Sequence, residues 1–207
     1  MKTDVLVENH QKYQQRLKIF KDFGYDIEYE RNAIFEQAQP IQGSILEIGT
    51  GKGHFAIALA LNGYRFITVD KFEEEQKYAK MNLDYLGLLD QVDFCLADAG
   101  QLTFDNDSFD TIFAVNVFHH LESPYDVLDE VIRVLRPAGK IVVSDFSKKG
   151  MKLIDKIHRQ EGRQHPQSRV SVNDIAKYLE KQAFRVEKHR TIFQETIVAR
   201  RRKVGEV

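Results

Sequence analysis

Three glycines, Gly49, Gly51 and Gly53, follow a short apolar run in the segment LEIGTGKGHFA. Glycine adopts backbone angles that are closed to other residues, and it lets a ligand approach the main chain closely. A glycine-rich turn between a strand and a helix also points backbone N–H groups and the positive end of the helix toward an anion. The spacing therefore predicts a nucleotide-like ligand at the carboxyl edge of a sheet.

Carboxylates follow the glycine turn at intervals that suit a nucleoside. Asp70 ends the next apolar run, 21 residues after Gly49, where a carboxylate would hold a ribose diol. Asp98 follows the third apolar run. The dinucleotide fingerprint G-x-G-x-x-G is incomplete, because His54 stands at its third glycine position. This departure argues against a nicotinamide-dependent oxidoreductase.

The elements that would position these residues are visible as an alternation of patterns. Five short apolar runs predict strands: SILEIG, RFITVD, VDFCLA, FDTIFAVN and GKIVVSDF. Segments of helical periodicity lie between them. One of these, SPYDVLDEVIRVLRPAG, predicts a helix with five apolar residues on one face: Val127, Leu128, Val131, Val134 and Leu135. Such alternation predicts a parallel sheet covered by helices on both faces. A further amphipathic helix and two closing strands are predicted after residue 170.

Four segments resemble, in order and spacing, successive motifs of the class I S-adenosylmethionine-dependent methyltransferases: ILEIGTGKGHFAIALA, FITVD, LADAGQLTFDNDSFDTIFAVNVFHHL and EVIRVLRPAGKIVVSDF. The small-molecule group labelled type 11 is the most similar, and the resemblance covers residues 41–146. It implies an α/β, three-layer Rossmann-like fold whose seven-stranded sheet is mostly parallel with an antiparallel last strand. We expect an N-terminal helical cap at 1–40 and the cofactor-binding methyltransferase domain at 41–207, with a candidate substrate lid at 147–170.

The resemblance also assigns contacts to the cofactor, S-adenosylmethionine. The implied cofactor-binding residues are Glu47, Gly49, Thr50, Gly51, Gly53, Asp70, Lys71, Asp98, Ala99 and Asn116. In this assignment the glycine turn lies beneath the methionine part, Glu47 braces the turn, and Asn116 lies near the amino-acid end. Asp70 would accept hydrogen bonds from the ribose hydroxyls with Lys71 flanking the adenine, while Asp98 would face the adenine amino group.

Methyl transfer from a sulfonium needs no acid, because the leaving thioether is neutral, and it needs a base only when the nucleophile arrives protonated. His119 and His120, after the fourth predicted strand, are the candidate catalytic bases, and a structural role at the strand end is the alternative. His158, Arg163 and His165 in the candidate lid could bind an anionic substrate, with solvated surface charge as the alternative. We expect no metal site, because no ligand pair has zinc-like spacing.

The composition of the chain disfavours some classes of function. The 207 residues carry a formal net charge of -1, which does not favour nucleic acid as a partner. The segment after the fourth strand also lacks the N-P-P-Y-like sequence of base-amine methyltransferases.

Without a long apolar segment we expect no membrane insertion and a cytoplasmic protein. The prediction is methyl transfer to a small molecule by in-line displacement. RNA or protein methylation and non-catalytic cofactor binding stay open as alternatives, as do the acceptor and the oligomeric state.

Overall fold

The computed structural model describes residues 3–162 and 170–202. Within these residues, seven strands form one sheet: β1 (Ile45–Ile48), β2 (Phe66–Asp70), β3 (Val92–Leu96), β4 (Phe109–Val115), β5 (Leu135–Phe146), β6 (Phe184–Arg190) and β7 (Gln194–Arg201). The same residues form seven α-helices: α1 (Asp4–Asp22), α2 (Ile27–Ala38), α3 (His54–Leu61), α4 (Glu73–Leu86), α5 (Pro124–Val134), α6 (Lys148–Gln160) and α7 (Val172–Lys181).

The strand order is β3-β2-β1-β4-β5-β7-β6. Strands β1 to β5 pair in parallel. Strand β7 lies between β5 and β6 and is antiparallel to both. This arrangement confirms the predicted three-layer fold with an antiparallel last strand.

The central strands are apolar along their whole length because both faces of the sheet are covered. Successive side chains of a strand point to opposite faces. Ile112 and Phe113 of β4 accordingly lie in different hydrophobic clusters, and both are fully buried. Leu128 of α5 packs in the first cluster, and Ile34 of α2 packs in the second. The two faces of the sheet therefore hold two separate cores.

A third, smaller cluster joins the N-terminal helices to α6 beside Phe146, the last residue of β5. Its buried members are Phe20, Tyr25, Ile27, Ile154 and Ile157. The cluster places α1, the start of α2 and α6 together at the carboxyl edge of the sheet, where the chemistry is expected.

Two boundaries differ from the sequence prediction. Helix α5 ends at Val134, and β5 already begins at Leu135, which is fully buried and pairs with Phe109 ahead of a register shift. The basic segment after β5 forms α6 at residues 148–160, because Gly150, Ile154 and Ile157 supply a buried stripe at helical spacing. Among the described helices, none is both long and apolar enough to span a membrane.

Candidate functional site

A cavity of about 1360 Å³ opens at the carboxyl edge of the sheet, between the strand ends and the helices α1, α2 and α6. Parallel α/β sheets bind ligands at this edge. The predicted site residues that line it are Gly49, Thr50, Gly51, Asp70, Lys71, Asp98, Ala99, Asn116, His119, His120 and His158. Glu47 and Gly53 do not line the cavity, and Arg163 and His165 lie outside the described residues.

The three glycines of the turn all have positive φ, but their structural roles differ. A Cβ at Gly49 would lie 2.3 Å from a methyl of Val117, and one at Gly53 would lie 2.8 Å from Cβ of Ala79. These two glycines permit close packing of the turn. At Gly51 a Cβ would meet nothing within 4 Å. Gly51 is therefore the position where bare main chain faces open cavity.

The carboxylate of Asp70 fixes the turn from the neighbouring strand. Its Oδ2 accepts a hydrogen bond from the backbone N–H of Gly51 at 2.8 Å, and its Oδ1 accepts one from Phe72 at 3.0 Å. Each carboxylate oxygen has capacity for a second hydrogen bond. Asp70 can therefore hold the loop and still accept hydrogen bonds from a ligand hydroxyl.

The residues expected around an adenine lie on the next loops. Asp98 is exposed and accepts a hydrogen bond from the N–H of Gly100 at 2.8 Å, which fixes its Oδ1. The ammonium of Lys71 lies 5.1 Å from the ring centroid of Phe72, and the Phe72 side chain is 57% exposed. An exposed aromatic ring at the cavity offers a flat apolar surface to a planar ligand.

Glu47 lies behind the turn rather than in the cavity. Its carboxyl accepts a hydrogen bond from the Thr68 hydroxyl at 2.6 Å, and that hydroxyl lies 2.7 Å from the Thr50 hydroxyl. Burial raises the pKa of Glu47 to about 8. The chain of hydroxyl contacts ties β1, β2 and the turn together, so the side chain of Glu47 supports the turn through Thr68.

Asn116 adopts a left-handed backbone conformation at the end of β4, with φ of 57°. The Gln194 side chain, at the first position of β7, donates hydrogen bonds to Oδ1 of Asn116 at 2.9 Å and to the Tyr25 hydroxyl at 2.7 Å. Gln194 itself accepts a hydrogen bond from the Ser144 hydroxyl at 3.2 Å. Sequence reasoning missed Gln194, because no local pattern places it beside the end of β4.

His119 forms a dyad with Asp145 of β5. The backbone N–H of His119 donates to Oδ2 of Asp145 at 3.0 Å, and its Nδ1 lies 2.6 Å from Oδ1. A carboxylate only accepts hydrogen bonds, so Nδ1 of His119 carries a proton and donates it to Asp145. His119 is buried, whereas His120 is exposed and its ring centroid lies 3.9 Å from that of His119. Asp145 was missed, although an acid at a strand's carboxyl end is a usable signal.

The described part of the candidate lid is tied to the first helix. Nε2 of His158 lies 3.2 Å from a guanidinium nitrogen of Arg16, and the same guanidinium pairs with Glu161. His158 lines the cavity, and so does Ile154 one turn earlier on α6. Helices α1 and α6 therefore meet over the cavity through both polar and apolar contacts.

Comparisons with known proteins give a consistent result. The family model described as "Methyltransferase domain" matches residues 46–143. Demethylmenaquinone methyltransferase of Clavibacter sepedonicus is 35% identical over 118 residues, which are 56% of this chain and 47% of that protein. The 27-O-demethylrifamycin SV methyltransferase of Amycolatopsis mediterranei is 33% identical over 103 residues, 49% and 38% of the two chains. The chain thus spans less than half the length of either relative.

A solved SAM-dependent methyltransferase from Aquifex aeolicus superimposes with a TM-score of 0.64 at 20% identity, covering 82% of this chain and 88% of that one. At this identity the similarity concerns the fold.

Proposed function

Residues 46–143 match the methyltransferase domain family, and from that premise we propose that the chain is a class I S-adenosylmethionine-dependent methyltransferase that transfers a methyl group to a small-molecule acceptor by in-line displacement. S-adenosylmethionine is the cofactor of this family, and when bound it supplies a methyl group activated by a positively charged sulfur. The acceptor, the displacement step and a cytoplasmic location are parts of the proposal.

The residues at the glycine turn fit this cofactor. Gly51 leaves main chain open to the cavity, and Asp70 and Asp98 each present a carboxylate there that backbone N–H groups hold in place. We assign Asp70 to the ribose hydroxyls and Asp98 to the adenine amino group. Glu47 and Gly53 would act indirectly, through the shape of the turn, because they lie outside the cavity lining.

The far side of the cavity favours an acceptor with an apolar or aromatic body. Five side chains from α1, the α1–α2 connection, α2, β5 and α6 line it: Phe20, Tyr25, Ile27, Phe146 and Ile154. Burial of an apolar ligand surface against such a lining supplies about 25 cal/mol per Å². The names of the two relatives, which specify a demethylmenaquinone and a demethylrifamycin, agree with this acceptor class.

His119 would take the proton of the acceptor. Asp145 orients the imidazole and stabilises its charged form, as a carboxylate does for a histidine base. His120 is exposed beside it, which suits contact with the acceptor rather than proton abstraction. Helices α1 and α2 (the cap) and α6 (the candidate lid) would exclude water from this end of the cavity.

The single observation that carries the proposal is that one cavity is lined by the main chain of Gly51, by the carboxylates of Asp70 and Asp98, and by His119, which Asp145 holds from behind. The test incubates the protein with methyl-labelled S-adenosylmethionine and with the small-molecule, RNA and protein fractions of a cell extract in turn, and identifies labelled products by mass spectrometry. We expect S-adenosylhomocysteine and one labelled small molecule. Labelled RNA or protein would identify the alternative acceptors. Binding of the cofactor without turnover on any extract fraction would identify a non-catalytic protein, and both results contradict the proposal.

Once the acceptor is known, Asp145→Asn and His119→Gln test the base. Both should lower kcat by at least about tenfold, since a positioned base typically contributes 10²–10⁴-fold, while affinity for S-adenosylhomocysteine stays within twofold. His189→Gln, on β6 outside the cavity lining, is the control and should leave kcat nearly unchanged. Full activity of both dyad variants would exclude His119 as the base.

A further inference from the structure

The outward face of α6 carries positive charge that the proposed function does not use. The 13 residues of this helix hold five cations and one carboxylate, Asp155. At 3.6 residues per turn the five cations lie within an arc of about 100°, opposite the buried residues Gly150, Ile154 and Ile157. All five are exposed and form what we call the cationic face: Lys148, Lys149, Lys152, Lys156 and Arg159. The whole chain has a net charge of -1, so this concentration of charge is local.

Contacts within the protein do not neutralise the cationic face. In the part of the chain that the structure describes, none of its four lysines forms a salt bridge with a carboxylate. Lys148, Lys152 and Lys156 follow one another at intervals of four residues, and like charges at this spacing destabilise a helix. An anionic surface outside the chain would relieve this repulsion.

Apolar side chains border the cationic face. The ammonium of Lys149 lies 5.5 Å from the ring centroid of Phe193, and that of Lys156 lies 5.3 Å from the ring centroid of Phe23. Ile192, which precedes Phe193 in the turn between β6 and β7, is 61% exposed. Lysine stems lie along apolar groups while their ammonium groups reach outward. Clustered cations with exposed apolar neighbours are typical of surfaces that adsorb to anionic lipid.

We propose that the cationic face of α6 docks on the anionic headgroups of a lipid bilayer. Ile154 and His158, on other sides of the same helix, line the cavity, so docking holds the acceptor end of the cavity close to the membrane. The choice of lipid rather than nucleic acid rests on the proposed function, because an apolar acceptor dissolves in a bilayer. The contact is peripheral: Ile154 and Ile157 are buried against the N-terminal helices, so charge supplies most of the attraction.

The test is flotation of the protein with vesicles of equal parts phosphatidylcholine and phosphatidylserine, compared with vesicles of phosphatidylcholine alone. Wild type should float with the anionic vesicles only, and raised salt should release it, because salt screens charges at a surface. Each cation near an anionic surface strengthens binding about fivefold, so a variant that lacks three should partition about a hundredfold more weakly. This variant carries Lys148→Gln, Lys152→Gln and Lys156→Gln.

A matched control removes three exposed lysines from α4 and α7 instead: Lys77→Gln, Lys177→Gln and Lys181→Gln. It has the same net charge as the α6 variant and should stay within about threefold of wild type, because charges distant from the bound surface are screened. Circular dichroism checks that both variants fold. Equal loss in the two variants, equal flotation with both kinds of vesicle, or no flotation at all would refute the docking surface.

Filter binding to mixed-sequence RNA and retention on polyglutamate test the two other anionic partners. Binding to either of them without flotation would also overturn the inference. Flotation is measured without cofactor or acceptor, so its result is separate from that of the labelling experiment. Labelled product without flotation refutes the docking surface and leaves methyl transfer standing, whereas flotation without labelled product refutes methyl transfer and leaves the docking surface standing.

Discussion

Replacing Glu47 by glutamine should remove a large part of the pH dependence of stability. The Glu47 side chain is 1% exposed and accepts a hydrogen bond from the Thr68 hydroxyl at 2.6 Å. Burial raises its pKa from 4.5 to about 8. Glutamine keeps an oxygen that can accept the same hydrogen bond, and it does not titrate. The substitution therefore isolates the effect of the proton.

The sign of this pH dependence follows from the difference in bound protons between the folded and the unfolded chain. Between pH 4.5 and 8 the folded protein holds a proton on Glu47 that the unfolded chain has released, so the free energy of unfolding falls as pH rises. The stabilisation is complete below pH 4.5 and is lost as pH rises through 8. From these two pKa values, the loss between about pH 5.5 and about pH 7.5 is about 2.5 kcal/mol. Other titrating groups contribute equally to wild type and variant.

The assay is urea unfolding followed by circular dichroism, since the chain has no tryptophan. The quantity of interest is the free energy of unfolding of wild type minus that of Glu47→Gln, measured across this pH range. We expect the difference to fall with rising pH by about 2.5 kcal/mol. Glu36→Gln, on the exposed side of α2, is the matched control and should show a constant difference. A difference that stays constant or rises for Glu47→Gln would mean that Glu47 is ionised in the folded protein.

Four further substitutions test other parts of the site. Asp70→Ala should weaken cofactor binding at least about tenfold in calorimetry, from lost hydrogen bonds worth roughly 1.5–3 kcal/mol, and an unchanged affinity would contradict the ribose assignment. Gly53→Ala should lower the free energy of unfolding by about 1–3 kcal/mol, because its Cβ would lie 2.8 Å from that of Ala79. Gly51→Ala should cost only about 1 kcal/mol of stability while weakening cofactor binding, and the reverse ranking of the two glycines would contradict their assigned roles. Gln194→Leu should lower the free energy of unfolding by about 1–3 kcal/mol in urea, because its buried partners lose their donor; unchanged stability would show that the network is dispensable.

The fold was predictable because its determinants are local. Buried parallel strands are continuous apolar runs, and the helices between them carry their own periodicity. The ends of those strands then identify residues such as Asp70, Asp98 and Asn116 from the sequence alone. The helix at 148–160 was less visible, because basic residues dominate its composition while only a narrow stripe is buried.

The residues that sequence reasoning missed depend on contacts between distant segments. Asp145 reaches His119 only because β4 and β5 are neighbours in the sheet. Arg31 lies on α2, whose sequence pattern does not indicate a cavity, and it lines the cavity because the N-terminal helices pack at the carboxyl edge of the sheet. The spacing of residues along the chain predicts neither the contact between His119 and Asp145 nor the position of Arg31 at the cavity.

The reversed direction of β7 has a consequence for biosynthesis. Because β7 runs against its neighbours, its first residue, Gln194, lies at the same edge as the last residues of the parallel strands, and there it fixes Asn116 and Tyr25. A nascent chain that has left the ribosome only as far as α7 already contains β1 to β5 but lacks the hydrogen bonds that Gln194 donates to Asn116 and Tyr25. The carboxyl edge of the sheet therefore reaches its final geometry at Asn116 and Tyr25 only after synthesis has passed Gln194 and the β6–β7 hairpin has docked.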